Sequence, residues 1–226
     1  GPEYLETSFA AFKAGLTHVN VNYRYTAGEL FHIFDNSDAA VIVYAREFAA
    51  SVAELQPRLS KVKLFVEVGE GAPVNAFAKA YENLAAGEPL AETVMDEDPM
   101  VFIYTGGTTG LPKGVMWRQP ELFQALSAAL QGQGMDSLEA YEAFLRNGGR
   151  SGPAMICPPL MHGAGYLIAL STLLRGGAVV TVPGAGFEAE QALARYAEIA
   201  SASPDRIAVV DRGCWIKAAN TAFLEA

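Results

Sequence analysis

The sequence predicts an α/β fold in which helices flank a layered, mostly parallel β-sheet. Two observations support this class. Apolar runs of strand length alternate with amphipathic helical segments, and 51% of the 226 residues are apolar. The alternation favours parallel strands joined by right-handed helical crossovers. The apolar content is enough to bury a sizeable core and places the chain outside the disordered class.

The first part of the chain begins with a helix, because Leu5, Phe9 and Phe12 recur at helical spacing and Gly15 follows as a stop signal. Thr26 and Glu29 have the spacing of a capping box, which predicts a second helix running to residue 36. The other elements expected here are a strand over 17–21, a turn over 20–25, an apolar run over 39–44, a helix over 46–59, a β-rich segment over 62–68 and a short helix over 75–85.

The second part continues the alternation after a compact buried strand over residues 101–104. A loop rich in Gly and Thr follows that strand. The remaining expected elements are helices over 119–130 and 138–146, a strand over 154–157, a helix over 165–174, a strand over 178–182, a helix over 188–199 and a strand over 207–210.

Composition excludes several classes of function. The chain has 16 Lys and Arg against 25 Asp and Glu, a formal charge of −9, which argues against nucleic-acid binding. The most apolar stretch, Tyr166–Val182, is broken by Arg175 and two glycines, so no membrane span is predicted. Cys157 and Cys214 are too few for a disulfide framework and no leader opens the chain, which indicates a cytoplasmic location. Because the chain starts at Gly1 without Met, we interpret it as a fragment.

The strongest local signal is the segment 104–114, which reads YTGGTTGLPKG. Its small residues form a loop whose backbone N–H groups can turn toward an anion. Thr105 can also offer an oxygen to a phosphate-bound Mg²⁺, and Lys113 supplies a positive charge. The predicted phosphate ligands are Thr105, Gly106, Gly107, Thr108, Thr109, Gly110 and Lys113. A flexible surface loop of small residues is the alternative interpretation. An ordinary P-loop is disfavoured, because no Ser or Thr follows Lys113.

The string YTGGTTGLPKGV resembles the nucleotide-phosphate loop of the adenylate-forming, or AMP-binding, enzymes. Extended through residues 116–119, it is similar to actinobacterial acyl-CoA synthetases that activate fatty or steroid-derived acids. Segments 19–26, 158–165 and the strand from Gly176 agree in the same order, over about residues 1–200. The resemblance implies a Rossmann-like, partial N-terminal adenylation domain over residues 1–226, with the C-terminal domain absent. Gly106 stands where Ser is common in the superfamily.

The resemblance implies an ATP-dependent acid–thiol ligase that uses Mg²⁺. The substrate carboxylate attacks the α-phosphate of ATP, pyrophosphate leaves, and the thiol of CoA then takes the acyl group from the acyl-adenylate. Lys113 and His162 are the expected catalytic residues, and Thr105 is the expected metal ligand. His162, Gly163, Ala164 and Gly165 are expected to lie near the acyl carboxylate and the thiol tunnel. The alternative for His162 is a capping role at a helix beginning near Gly165.

Other residues receive structural interpretations. Tyr104 and Trp117 are expected to pack around the loop, and His18 and His32 have no ligand partners in the sequence. Lys217 is not taken as the catalytic lysine, because the family's adenine and ribose segments are not found. The tail 205–226 is either a diverged strand and helix or an echo of the family's hinge.

Two other functions stay open at this stage. One is an adenylate-forming enzyme that loads a carrier-protein thiol, and the other is a noncatalytic nucleotide-binding module. The expected partners are a small carboxylic acid, ATP and CoA, and a homo-oligomer is compatible with the sequence. Taken alone, the chain is expected to bind ATP weakly and to turn over little.

Overall fold

The computed structural model describes residues 1–88, 99–106, 110–131, 137–180, 194, 198, 208–210 and 216–219. Most of the predicted helix over 188–199 lies outside these residues, as do Gly107, Thr108 and Thr109. The chain divides into two compact units, residues 2–119 and residues 120–226, with Gly1 grouped in the second.

The first unit alternates helices and strands. In chain order its elements are α1 (Pro2–Lys13), β1 (His18–Asn20), α2 (Ala27–Asn36), β2 (Val41–Ala45), α3 (Ala49–Leu55), β3 (Leu64–Val68), β4 (Ala78–Ala80), α4 (Tyr81–Ala85), β5 (Met100–Thr105) and β6 (Lys113–Arg118). They form two sheets with strand orders β1-β5-β6 and β2-β3-β4. All pairs within these sheets are parallel except β5 with β6. The predicted α/β fold with parallel strands is confirmed.

The start of α2 follows the predicted capping box. Thr26 Oγ1 accepts from the backbone N–H of Glu29 at 3.4 Å, and Glu29 Oε2 accepts from the backbone N–H of Thr26 at 2.8 Å. These two bonds satisfy donors that the helix leaves without partners. The predicted turn before α2 is also present, since Asn22 Oδ1 accepts from the backbone N–H of Arg24 at 2.9 Å.

One predicted helical segment is confirmed and another is partly wrong. The helical stretch expected over 46–59 consists of a 3-10 turn at Arg46–Phe48, then α3, then a second 3-10 turn at Gln56–Arg58. Pro57 in the last turn lacks the N–H that a continuing α-helix requires. The helix expected over 75–85 is wrong in its first half, where Ala78 and Ala80 face the core from β4, which pairs with β3. Burial of these alanines beside β3 outweighs their helix propensity.

The core of the first unit lies between the β2-β3-β4 sheet and its helices. Its buried side chains are Ile42, Tyr44, Ala49, Val52, Leu55, Leu59, Phe65 and Ala78. The apolar face of α2 packs against this cluster through Leu30, Phe31 and Phe34. This packing fixes the position of α2 on the sheet. The same helix also contacts the hairpin formed by β5 and β6.

A buried carboxylate, Glu67, lies near the carboxyl end of β3 in the same sheet. Glu67 is inaccessible to solvent and accepts hydrogen bonds from Arg46 Nε at 2.9 Å, Tyr44 Oη at 3.2 Å and the backbone N–H of Val74 at 3.0 Å. Burial alone raises the pKa of Glu67. The hydrogen bonds from Val74, Arg46 and Tyr44 together outweigh burial and hold the pKa below its usual value.

The second unit contains shorter elements. They are α5 (Gln119–Gln131), α6 (Leu138–Phe144), β7 (Ala154–Met155), α7 (Gly163–Leu174), β8 (Val179–Val180), β9 (Ala208–Val210) and β10 (Ile216–Ala219). The first residue of α5, Gln119, is the last residue of the first unit. β7 pairs with β8 in parallel, and β9 pairs with β10 in antiparallel fashion. The sequence did not predict β10, which falls in the tail 205–226. The helix α7 begins two residues earlier than expected and buries Tyr166, Ala169 and Leu170.

Candidate functional site

The predicted phosphate segment closes a hairpin between β5 and β6. The antiparallel register places Thr105 opposite Lys113, so residues 106–112 connect the two strands. Opposed residues in such a pair have Cβ atoms about 5 Å apart. Both Thr105 and Lys113 are exposed. A hydroxyl and an ammonium group therefore flank the mouth of the loop.

The described glycines of this loop, Gly106 and Gly110, differ in whether the structure requires glycine at their positions. Gly110 has φ +103°, a backbone conformation that L side chains rarely adopt, so the turn depends on glycine there. A Cβ at Gly106 would meet nothing within 4 Å, so a serine would fit at this position. Gly107, Thr108 and Thr109 lie outside the described residues, and their expected contacts with phosphate stay predictions.

The electrostatics of the loop mouth favour an anion. Within the described part of the chain, no carboxylate pairs with Lys113. A surface cation that no described carboxylate neutralises keeps its charge available for an incoming phosphate. The Thr105 hydroxyl fits a Mg²⁺ that arrives with nucleotide phosphates, since this ion is held by few protein oxygens plus substrate and water. The described residues hold no group of three His, Cys, Asp or Glu that could bind a metal without such a substrate.

The helix α2 contacts β5 and the end of the loop that precedes β6. Tyr104 Oη donates to Asn36 Oδ1 at 2.7 Å, and His32 Nε2 donates to the Pro112 carbonyl at 3.2 Å. The buried Tyr104 ring also covers Gly114, where a Cβ would lie only 3.1 Å from the ring. The expected packing of Tyr104 against the loop is confirmed. The contact of His32 was missed, because a lone histidine in a sequence carries no sign of a partner 80 residues away.

A shallow cleft of about 380 Å³ lies between the end of α2 and one face of the hairpin. Its lining residues are Asn36, Ser37, Asp38, Phe102, Tyr104, Gly114 and Met116. Of the predicted phosphate ligands that the structure describes, Thr105, Gly106, Gly110 and Lys113, none lines it. The cleft therefore marks the packing boundary between helix and hairpin stem, separate from the loop mouth.

The second group of predicted site residues lies at the start of α7. His162 occupies the N-cap position with extended backbone (φ −95°, ψ 142°), yet its exposed side chain makes no capping hydrogen bond. The helix begins at Gly163, which corrects the start expected near Gly165. The side chain of His162 is thus not used to satisfy the helix end. Its expected role near the acyl carboxylate stays a prediction.

Gly165 has a packing reason to be small. A Cβ on this residue would lie 2.5 Å from the carbonyl oxygens of both Pro158 and Pro159. Backbone atoms cannot rotate away as a side chain can, so the approach of this segment to α7 requires glycine. The loop residues fall in the first unit and His162–Gly165 fall in the second.

The sequence of the chain matches a known protein family. Residues 1–214 match the family described as AMP-binding enzyme. The chain belongs to this family. The hairpin loop with Thr105 and Lys113 therefore belongs to an AMP-binding domain, and the family resemblance seen in the sequence is confirmed.

The similar proteins are named as acyl-CoA ligases. The chain is 32% identical over 191 residues to 3-oxocholest-4-en-26-oate–CoA ligase of Rhodococcus rhodochrous, covering 80% of this chain and 34% of that protein. It is 33% identical over 190 residues to medium-chain acyl-CoA ligase Mig of Mycobacterium avium, with the same coverage. The chain spans about a third of the length of these curated relatives.

A solved structure shows the same fold. The long-chain-fatty-acid-CoA ligase FadD1 of Archaeoglobus fulgidus aligns with a TM-score of 0.62 at 23% identity, covering 88% of this chain and 36% of that one. This likeness supports the AMP-binding fold. Among the helices in the described part of the chain, none combines the length and apolar character that crossing a bilayer requires.

Proposed function

We propose that the chain is the phosphate-binding part of an ATP-dependent acid–thiol ligase, an acyl-CoA synthetase that activates a fatty or steroid-derived carboxylate. The observation that carries this proposal is the pairing of Thr105 with Lys113 across the mouth of a glycine-containing loop, in an AMP-binding family member. The names of the similar proteins, which are ligases of medium-chain and cholestenoic acids, supply the substrate class.

The first chemical step requires charge to be neutralised. A carboxylate oxygen attacks the α-phosphorus of ATP, a bond forms between them, and the bond from that phosphorus to the bridging oxygen breaks to release pyrophosphate. Thr105–Gly110 and Lys113 hold the β- and γ-phosphates through N–H groups, hydroxyls and one ammonium group. Fixed donors of this kind stabilise charge on the leaving pyrophosphate without reorganising during the step.

The Thr105 hydroxyl contributes an oxygen ligand for the nucleotide-bound Mg²⁺, which when bound withdraws charge from the phosphate oxygens. His162, Gly163, Ala164 and Gly165 are assigned to the acyl and thiol region. The exposed His162 side chain, which the helix end does not use, supports this assignment. CoA is the proposed acceptor. A cytoplasmic location follows from the need for ATP and CoA, and the exposed free thiol of Cys157 is compatible with a reducing compartment.

The test is calorimetric binding of Mg-ATP to the chain and to Lys113→Ala. A hydrogen bond to a charged group contributes roughly 1.5–3 kcal/mol, so the variant should bind about 10- to 150-fold more weakly. Lys79→Ala is the matched control, because Lys79 is likewise an exposed strand lysine of the first unit. Equal weakening in both variants, or no binding by the folded wild-type chain, would overturn the proposal.

A second assay addresses the acceptor. Addition of a medium-chain acid with CoA or with a holo-carrier protein, to a form of the enzyme with the length of the relatives, should give acyl-CoA and no acylated carrier. Formation of acyl-carrier instead would replace the proposed acceptor while leaving the adenylation step in place.

A further inference from the structure

We propose that His32 and Asn36 are positioning residues that fix the phosphate loop by holding the chain at both of its ends. The inference rests on the proposed function for the identity of the ligand, Mg-ATP. His32 and Asn36 would keep Thr105 and Lys113, which flank the mouth of the loop, in place.

The two residues act from one face of a helix. His32 and Asn36 are four residues apart in α2, so their side chains project from the same side, about one turn apart. Asn36 accepts from Tyr104 Oη at 2.7 Å, which secures β5. His32 donates to the carbonyl of Pro112 at 3.2 Å, which secures the residue before β6. One helix therefore holds both ends of the loop.

The held residues are the direct chain neighbours of the predicted ligands. Tyr104 precedes Thr105, and Pro112 precedes Lys113. Proline has no N–H, so its carbonyl is the only backbone group at position 112 that can form a hydrogen bond. Fixing residues 104 and 112 fixes the mouth of the loop to within one residue on each side. The ligands themselves stay exposed to receive phosphate.

The strand β6 needs such support because little else covers it. Val115 is 47% exposed and Met116 is 65% exposed, and in the described β1-β5-β6 sheet the strand lies at an edge. The Tyr104 ring covers Gly114 across the strand pair, so the bond to Asn36 also holds the ring over β6. Burial and the nearby carboxylate of Asp38 raise the pKa of Tyr104, which keeps its hydroxyl a donor.

The experiment compares His32→Phe and Tyr104→Phe, which keep a flat ring and remove one donor each. His32→Gln restores an N–H donor as the conservative variant. Tyr81→Phe is the matched control, because Tyr81 Oη also donates at 2.7 Å, to Glu6 in the same unit but away from the hairpin. Amide hydrogen exchange is measured for residues 113–118 and, as an internal reference, for β2 and β3. Mg-ATP affinity is measured by calorimetry.

Loss of one hydrogen bond corresponds to roughly a fivefold change in an equilibrium. Exchange in residues 113–118 should rise about fivefold in His32→Phe and Tyr104→Phe, while exchange in β2 and β3 stays unchanged. The dissociation constant for Mg-ATP should rise by a similar factor, and His32→Gln should lie within about twofold of wild type. Tyr81→Phe should leave all of these readouts unchanged.

Unchanged exchange in residues 113–118, or an equal rise in both sheets, would overturn the inference. So would a His32→Gln variant that behaves like His32→Phe. Absence of Mg-ATP binding by the wild-type chain would instead refute the proposed function. The exchange comparison, which uses no nucleotide, would then still decide whether α2 holds the hairpin.

Discussion

Replacing Glu67 by Gln should destabilise the first unit far more than removing an exposed charge does. The Glu67 side chain is fully buried and accepts from Arg46, Tyr44 and the backbone of Val74. Glutamine offers one acceptor oxygen and presents an NH₂ group in place of the other. If the glutamine oxygen stays toward Arg46 and Val74, the NH₂ group faces Tyr44 Oη, whose hydroxyl hydrogen loses its carboxylate acceptor. Loss of such an acceptor costs roughly 1–3 kcal/mol for a buried group.

The loss of charge adds to this cost. The ion pair with Arg46 is only partly buried, since the Arg46 side chain is 36% exposed. Its electrostatic contribution to stability is therefore smaller than that of a fully buried pair. With about 1 kcal/mol for that part, the expected loss in free energy of unfolding is roughly 2–4 kcal/mol. Urea denaturation followed by circular dichroism measures it. Hydrogen exchange in β3 assigns the change to the first unit.

Asp38→Asn is the matched control for this prediction. Asp38 forms an ion pair of 2.8 Å with Lys61, but both side chains are largely exposed, and such pairs contribute about 0–1 kcal/mol. Because the fold lowers the pKa of Glu67, its stabilisation is present above the ordinary value of 4.5 and is lost as pH falls through the folded value. The difference between wild type and Glu67→Gln should therefore shrink below about pH 4.5. A Glu67→Gln cost no larger than that of Asp38→Asn at neutral pH would refute this reasoning.

Three further changes test other parts of the structure. Gly165→Ala should reduce stability by about 1–3 kcal/mol, since its Cβ meets two backbone oxygens, whereas Gly28→Ala, with open space around it, should reduce it by nothing measurable in the same thermal melt. Thr26→Ala should cost about 1 kcal/mol in urea unfolding, because the capping box loses its hydroxyl acceptor; an unchanged midpoint would count against the cap. Burial and the carboxylate of Glu6 raise the pKa of Tyr81 to about 12, so a spectrophotometric titration should contain a late tyrosine step whose amplitude falls by one tyrosine in Tyr81→Phe. A late step of unchanged amplitude in that variant would contradict the assignment.

The elements that sequence predicted well are those with a local cause. The helix α2 was placed correctly at both ends, because a capping box and an apolar face specify it within a few residues. The strand β5 was equally easy to predict from the sequence, since its apolar run ends at the glycine-rich loop. In both cases the information lies inside the element, and no distant partner has to be known.

The errors arose where tertiary contacts decide. Residues 78–80 read as helix, but Ala78 and Ala80 are buried as a third parallel strand beside β3. Alanine favours helix in isolation, and only the neighbouring strand reverses that preference. The strand β6 was missed for a related reason. Most of its side chains are exposed, so it lacks the alternation of buried and exposed positions that marks a half-buried strand.

The candidate site shows the same division between chemistry and geometry. The residue types at positions 105–113 predicted phosphate binding, because small residues, hydroxyls and a lysine favour an anion wherever they are placed together. What the sequence did not contain in readable form was the register that sets Thr105 opposite Lys113, since this register follows from the unpredicted strand β6. The same register brings Tyr104 over Gly114 and Pro112 within reach of His32. The register of β6, a strand with no alternation of its own, thus sets Lys113 opposite Thr105. The helix α2, whose helical character was readable, contacts the residue that precedes each of them.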